Sequence, residues 1–188
     1  INPFDACALE CALATGSDDI TVVSMLPPSA APKLRALTRY PVREVVLLSD
    51  AAFAGSDTVA TSYILSEFIK SKSPDLVLCG RQSVDGDTAQ TGPMIAARLC
   101  LDLHTNVLEF DNKFCRTRGD KKEKIKYPAM LTVERINTLR FFSIRSKERD
   151  ITIMNAAALG LDVEKCGQRG SPTVVCKCFE NSAGRRTV

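Results

Sequence analysis

Apolar residues come along this chain in short blocks with polar punctuation between them, and the blocks alternate between two periods. Ile20 to Met25, Val42 to Leu48 and Leu76 to Cys79 are short β-branched or continuous apolar runs, which predict strands. The uninterrupted Val45-Val46-Leu47-Leu48 suits a strand covered on both faces. Helix-like segments lie between them. Asn2 offers an N-cap and Pro3 a first turn for a helix to about Thr15, stopped at Gly16, with Ala6, Leu9, Ala12 and Leu13 as its apolar stripe. Pro32 to Thr38 predicts a short helix. Ser56-Asp57-Thr58 is a strong start for a helix to about Lys72, ended by Ser73-Pro74. Met94 to Cys100 predicts an Ala-rich helix. This alternation is that of an α/β chain with a parallel sheet.

From Leu103 the rhythm changes. Val107 to Phe110 and Phe114-Cys115 flank Asp111-Asn112-Lys113 and predict a hairpin. Arg116 to Lys126 is basic, broken by Asp120 and Glu123, and predicts a solvated hairpin arm. A nucleic-acid patch would need interleaved aromatic residues, which the arm lacks. Ala129 to Glu134 predicts the last strong strand. Arg135 to Arg149 predicts a loop that mixes arginines with Leu139, Phe141, Phe142 and Ile144, a composition common at interfaces. Ile151 to Met154 predicts a further strand. Leu159 to Asp162 and Gly170 to Val175 predict loop and strand punctuation.

The segment Arg81 to Pro93 stands out because it joins a strand to a helix at the carboxyl end of the strand, where open α/β sheets bind ligands. Gly86 suits unusual backbone angles. Ser83, Thr88, Thr91 and Gln90 offer hydrogen-bonding groups. Asp87 or Thr88 can cap the following helix, whose free N–H groups suit a phosphate. The helix start at Asn2 is a second candidate anion position. An ordinary capped polar turn fits the same pattern, so the loop alone leaves both readings open.

Composition adds bounds rather than identity. The chain has 188 residues, enough for one well-filled domain, with 45% apolar and 25% charged residues and a net charge of +3. No run reaches the ~18–20 apolar residues of a membrane span. Eight cysteines are scattered without a CxxC pair. They are expected to be reduced, mostly buried thiols of a cytoplasmic protein. With one histidine, His104, a metal cluster is poorly supplied and a catalytic histidine lacks a placed partner. GxSxG, Walker A and GxGxxG sequences are absent, which disfavours a self-contained enzyme.

Four stretches carry a family resemblance: Asn2-Pro3-Phe4-Asp5, Phe53-Ala54-Gly55-Ser56-Asp57-Thr58, Gly80 to Pro93, and Leu159 to Thr173 with its GLD and GSPT segments. In that order they resemble the beta subunit of electron transfer flavoprotein. The resemblance implies a Rossmann-like three-layer α/β sandwich of the adenine-nucleotide hydrolase type, with a mostly parallel sheet and a C-terminal hairpin and strand region. It implies one domain over residues 1–188, expected to lack the family's N-terminal strand and C-terminal arm. It also implies pairing with an alpha subunit, and FAD or AMP held by Asn2, Pro3, Phe4 and Asp5 with Asp85, Gly86, Asp87, Thr88, Ala89, Gln90, Thr91 and Gly92. Met25 is a further candidate. The wording DGDTAQTGP is similar to the electron-bifurcating group, which favours FAD. Ile136 to Lys147 resembles the region that recognises partner dehydrogenases. A non-redox adenine-nucleotide sensor and an ATP-using ligase or hydrolase are the competing readings.

Overall fold

The structure, a computed structural model, describes residues 1–173. In chain order the elements are α1 (Pro3–Ala14), β1 (Thr21–Met25), α2 (Ala31–Arg35), β2 (Glu44–Leu48), α3 (Thr58–Lys72), β3 (Leu76–Gly80) and α4 (Thr91–Leu99). Then follow β4 (Asp102–Phe110), β5 (Phe114–Thr117), β6 (Lys122–Lys124), β7 (Ala129–Val133) and β8 (Thr152–Met154). The strands form two sheets. One is all parallel in the order β1-β2-β8. The other runs β3-β7-β4-β5-β6, parallel over its first three strands and antiparallel at the β5–β6 hairpin.

Side-chain alternation makes these two sheets one layer. Val46 and Leu48 of β2, Val77 and Cys79 of β3, and Met130 of β7 all turn into one cluster with Ile64, Phe68 and Ile69 of α3 and Ile95 and Ala96 of α4. The alternate residues turn the other way. Val45 and Leu47 meet Leu13 of α1 and Leu34 of α2. Val133 and Leu78 meet Cys7, Ala8 and Cys11 of α1. Helices therefore cover both faces, which is why β2 and β7 are buried along almost their whole length. This is a three-layer, Rossmann-like α/β arrangement, as the sequence pattern and the family resemblance imply.

Two details differ from the sequence reading. The apolar stripe of α1 is not Ala6-Leu9-Ala12-Leu13; Cys7, Ala8, Cys11 and Leu13 are its buried residues. The helix lies across two clusters, so its contact surface wraps around it, and small thiols and alanines fit against the strands. The sheet is also divided rather than continuous. The last strong strand, β7, enters the middle of its sheet between β3 and β4, because only there are both its faces covered.

The C-terminal part is tied back by carboxylates. Asp57 caps α3, its carboxylate accepting from the N–H groups of Val59 at 2.8 Å and Ala60 at 3.1 Å. The same side chain accepts from the hydroxyl of Thr173 at 2.7 Å and its N–H at 3.1 Å. Asp50 accepts from the N–H groups of Ala52 and Ala156 at 2.9 and 3.0 Å. Burial pushes Asp57 up, but the Thr173 hydroxyl and the N–H groups of Ala60, Thr173 and Val59 hold it below the ordinary carboxyl value. Asp50 is held low by the Ala52 and Ala156 N–H groups. The strand expected around Val174 and Val175, with Cys176 and Cys178, lies outside the described residues. No helix of the described residues is long and apolar enough to cross a membrane.

Asp57→Ala is expected to lower stability by about 1–2 kcal/mol in denaturant unfolding at neutral pH, from loss of the cap. Both carboxyls sit below their unfolded value of about 3.9, so their contribution is full above that pH and is lost as pH falls through the lower folded value. The gap between the native chain and Asp57→Ala should therefore close on acidification below about pH 4. A gap that stayed constant down to pH 2 would remove Asp57 from this role.

Candidate nucleotide site

The end of β3 makes a close backbone approach to the start of α1. The N–H of Gly80 donates to Asp5 Oδ1 at 2.7 Å. A Cβ on Gly80 would stand 2.6 Å from the Phe4 Cβ and 2.7 Å from the Asp5 backbone nitrogen. Only glycine lets α1 begin here. Asn2 completes the junction: its amide donates to the Gln82 carbonyl and to Asp5 Oδ2, each at 2.8 Å. Asn2 occupies the N-cap position, but its side chain makes no capping bond.

On the opposite face α4 begins in the same place. A Cβ on Gly92 would stand 2.9 Å from Cys79 Sγ and 2.9 Å from the Thr132 methyl. Two helices thus start at the carboxyl end of one strand, one on each face. The α4 N-cap is Gln90, again without a side-chain cap. The expected cap from Asp87 or Thr88 is not made. Asp87 is instead held by the Gln82 amide and by its own N–H donating to Ser83 O. Asp87 and Ala89 take left-handed angles, φ 49° and 54°. Those two turns use up the loop before α4 starts at Thr91. Gly86 does not take that conformation, and a Cβ there would meet only Ser83 Oγ at 3.5 Å. The glycines that matter are Gly80 and Gly92.

Two uncapped helix N-termini therefore flank the loop, each with free N–H groups and a partial positive charge. By contrast α3, whose start touches the loop where the Thr58 hydroxyl donates to Gln90 Oε1 at 3.4 Å, already has the Asp57 carboxylate on its N–H groups. Asn2 Oδ1 is buried without a hydrogen-bond partner, an acceptor suited to a hydroxyl or amino group of a ligand. The loop carboxylates are engaged within the protein. The Ser83 hydroxyl and the Gly86 N–H hold Asp85 below the ordinary carboxyl value. These features fit an adenine nucleotide with its phosphate at the helix starts.

The structure brings Asn2, Pro3, Phe4 and Asp5 together with the loop that carries Asp85, Gly86, Asp87, Thr88, Ala89, Gln90, Thr91 and Gly92. Met25 ends β1 beside Leu48 and packs on the cluster around Val46 and Ile64. Gly80, Gln82 and Arg81 were missed as site residues. Arg81 pairs with the partly buried Glu134 at 3.1 Å and lies over the Phe4 ring at 6.0 Å. Their signal was local: a glycine that ends an apolar run.

The remaining candidates fall elsewhere. His104 is buried in β4. Burial first, with nearby acids adding to it, pushes the thiols of Cys11 and Cys79 up to about 11 and about 12, which makes them packing groups rather than nucleophiles. Residues 136–147 are pinned at both ends. Arg140 pairs with Glu10 at 2.7 Å and holds its carboxyl low, and the Arg149 N–H donates to Thr38 Oγ1 at 2.8 Å. Leu139 and Phe142 pack inward, while Phe141 and Ile144 are 99% and 97% exposed. A cleft of about 800 Å³ opens between the end of α1, the β4–β5 turn and Arg135 to Thr138.

An α/β chain with two helix starts around one strand end is of the Rossmann-like class. The electron transfer flavoprotein domain pattern matches residues 1–159. The chain is 40% identical to protein FixA of Sinorhizobium fredii, an alignment covering 95% of this chain and 71% of that one. It is 40% identical to the caffeyl-CoA reductase-Etf complex subunit CarD of Acetobacterium woodii, covering 97% and 76%. It is 37% identical to the electron transfer flavoprotein subunit beta of Megasphaera elsdenii, covering 95% and 74%. The chain belongs to the electron transfer flavoprotein family, among the beta subunits and FixA proteins.

Gly80→Ala is expected to push the start of α1 off β3 and cost about 1–3 kcal/mol, an overpacking penalty. Gly86→Ala should stay within about 0.5 kcal/mol, as an exposed change. Denaturant unfolding of both variants checks the pair, and equal losses would refute the assignment of the close approach to Gly80.

Proposed function

We propose that this chain is the nucleotide-holding half of a two-chain electron carrier. It binds FAD or AMP through Asn2, Pro3, Phe4 and Asp5 and through Asp85 to Gly92. It pairs with an electron transfer flavoprotein alpha subunit in the cytoplasm, and partner dehydrogenases dock on residues 136–147. The observation that carries this reading is the pair of uncapped helix starts, α1 and α4, on the two faces of the end of β3. A phosphate there accepts from backbone N–H groups and meets two positive helix ends. Asn2 Oδ1 supplies the matching acceptor for the ribose or adenine. The exposed Phe141 and Ile144 on a pinned loop give a dehydrogenase an apolar anchor framed by arginines.

FAD is favoured over AMP by the wording of the loop, DGDTAQTGP. A bound flavin supplies the electron chemistry, and the protein supplies position and field. The Asn2 amide and the Asp5 carboxylate hold α1 to the loop, and Gly92 seats α4 on β3.

Ligands released by acid from the purified complex with its alpha partner give the test. Two FAD per heterodimer is the expected count. One FAD with one AMP would make the nucleotide here structural and the carrier a one-flavin shuttle. A complex with no nucleotide beyond the alpha subunit's flavin would overturn the reading. Asn2→Ala should weaken nucleotide retention by about tenfold, the loss of roughly one hydrogen bond.

A further inference from the structure

A second polar cluster lies on the hairpin side of the sheet, away from the loop at the end of β3. Strand β4 shifts register twice, between His104 and Val107 and between Val107 and Glu109. Such bulges bend a strand. The bend lets β6 return to β4, so that Glu123 Oε2 stands 2.7 Å from His104 Nδ1. Asp102 Oδ2 stands 3.0 Å from the other ring nitrogen, Nε2, and is itself fixed by the Lys126 N–H at 2.9 Å. Cys115 of β5, opposite Glu123 in register, completes the group. Its Sγ, the His104 ring nitrogen and the Glu123 oxygen all lie within 4.8 Å of one another. His104 is 5% exposed and Cys115 1%.

Three unlike donors from three strands thus converge on one point of the sheet. We propose that His104 Nδ1, Cys115 Sγ and the Glu123 carboxylate form a structural site for a divalent cation of the zinc type, with Asp102 orienting the imidazole from its far side.

The donor set decides the class. Nitrogen, sulfur and carboxylate oxygen together suit zinc, whereas magnesium and calcium take oxygen ligands. A carboxylate on the second ring nitrogen of a ligating histidine is the common outer-shell arrangement, and Asp102 stands there. Bond lengths of about 2.0–2.3 Å place tetrahedral ligands roughly 3.3–3.8 Å apart. Glu123 must therefore open from 2.7 Å. The Glu123 side chain is 40% exposed, so it can turn, and water can reach the fourth position. The ion would clamp β4, β5 and β6 at one point.

Cobalt(II) titration of the chelator-stripped full chain tests this, followed by back-titration with zinc. One equivalent of cobalt with a thiolate charge-transfer band, displaced by zinc, is expected. Cys115→Ser should remove the band, and Glu123→Gln should weaken zinc binding by roughly tenfold or more. Glu123 is half-exposed, so that variant should fold. Zinc should also raise the Tm of the unaltered chain but not of Glu123→Gln. A band that survives in Cys115→Ser would overturn the site. So would equal zinc affinity and equal Tm response in the native chain and Glu123→Gln.

Discussion

The contact that the site depends on is the seat of α1 on Gly80. A strand end and a helix start approach so closely that a single methyl group would collide with the Phe4 backbone. The Gly80 N–H finds its acceptor in Asp5, and the Gln82 carbonyl finds its donor in Asn2. Without those two bonds, backbone groups at the end of β3 would be left unpaired beside a packed helix. The junction fixes where α1 points. With α4 seated on the other face through Gly92, it also fixes the opening between two positive helix ends.

This explains why the loop can be exposed and still belong to a defined site. Residues Ser83 to Thr88 face solvent. Their backbone path is set at its ends, by Gly80 and by the left-handed turns at Asp87 and Ala89. Asp87 and Asp85 hold their own loop rather than a helix. The N–H groups of α1 and α4 are left open by that choice, while α3 is closed by Asp57. The distribution of caps, more than the count of polar side chains, separates the open starts of α1 and α4 from the closed start of α3.

The hairpin region follows a different logic. Among the described residues no helix joins its inner cluster, where Cys115 of β5 and Ile125 pack with Val107 and Leu131. Buried polar residues in that region must find partners within it. His104 lies there between the carboxylates of Asp102 and Glu123. In the basic arm, Arg116 is paired to Glu109 of β4 at 2.6 Å and to Asp120 at 3.2 Å.

Much of this was legible along the chain, because the signals are local. Continuous apolar runs marked β2 and β3, Asp57 marked the start of α3, and glycine and proline marked the breaks. The joining of strand to helix at Arg81 to Pro93 was enough to locate a candidate site. What the sequence could not determine was set by contacts between distant residues. Which face of α1 is buried depends on two clusters built by other elements. The place of β7 between β3 and β4 depends on which strand edges remain open. The choice of Gly80 over Gly86 as the critical glycine depends on a helix that begins 76 residues earlier, around Phe4. The meeting of His104, Cys115 and Glu123 depends on a bend in one strand. Periodicity encodes how a segment folds against some partner; only packing decides which partner, and so which polar groups meet.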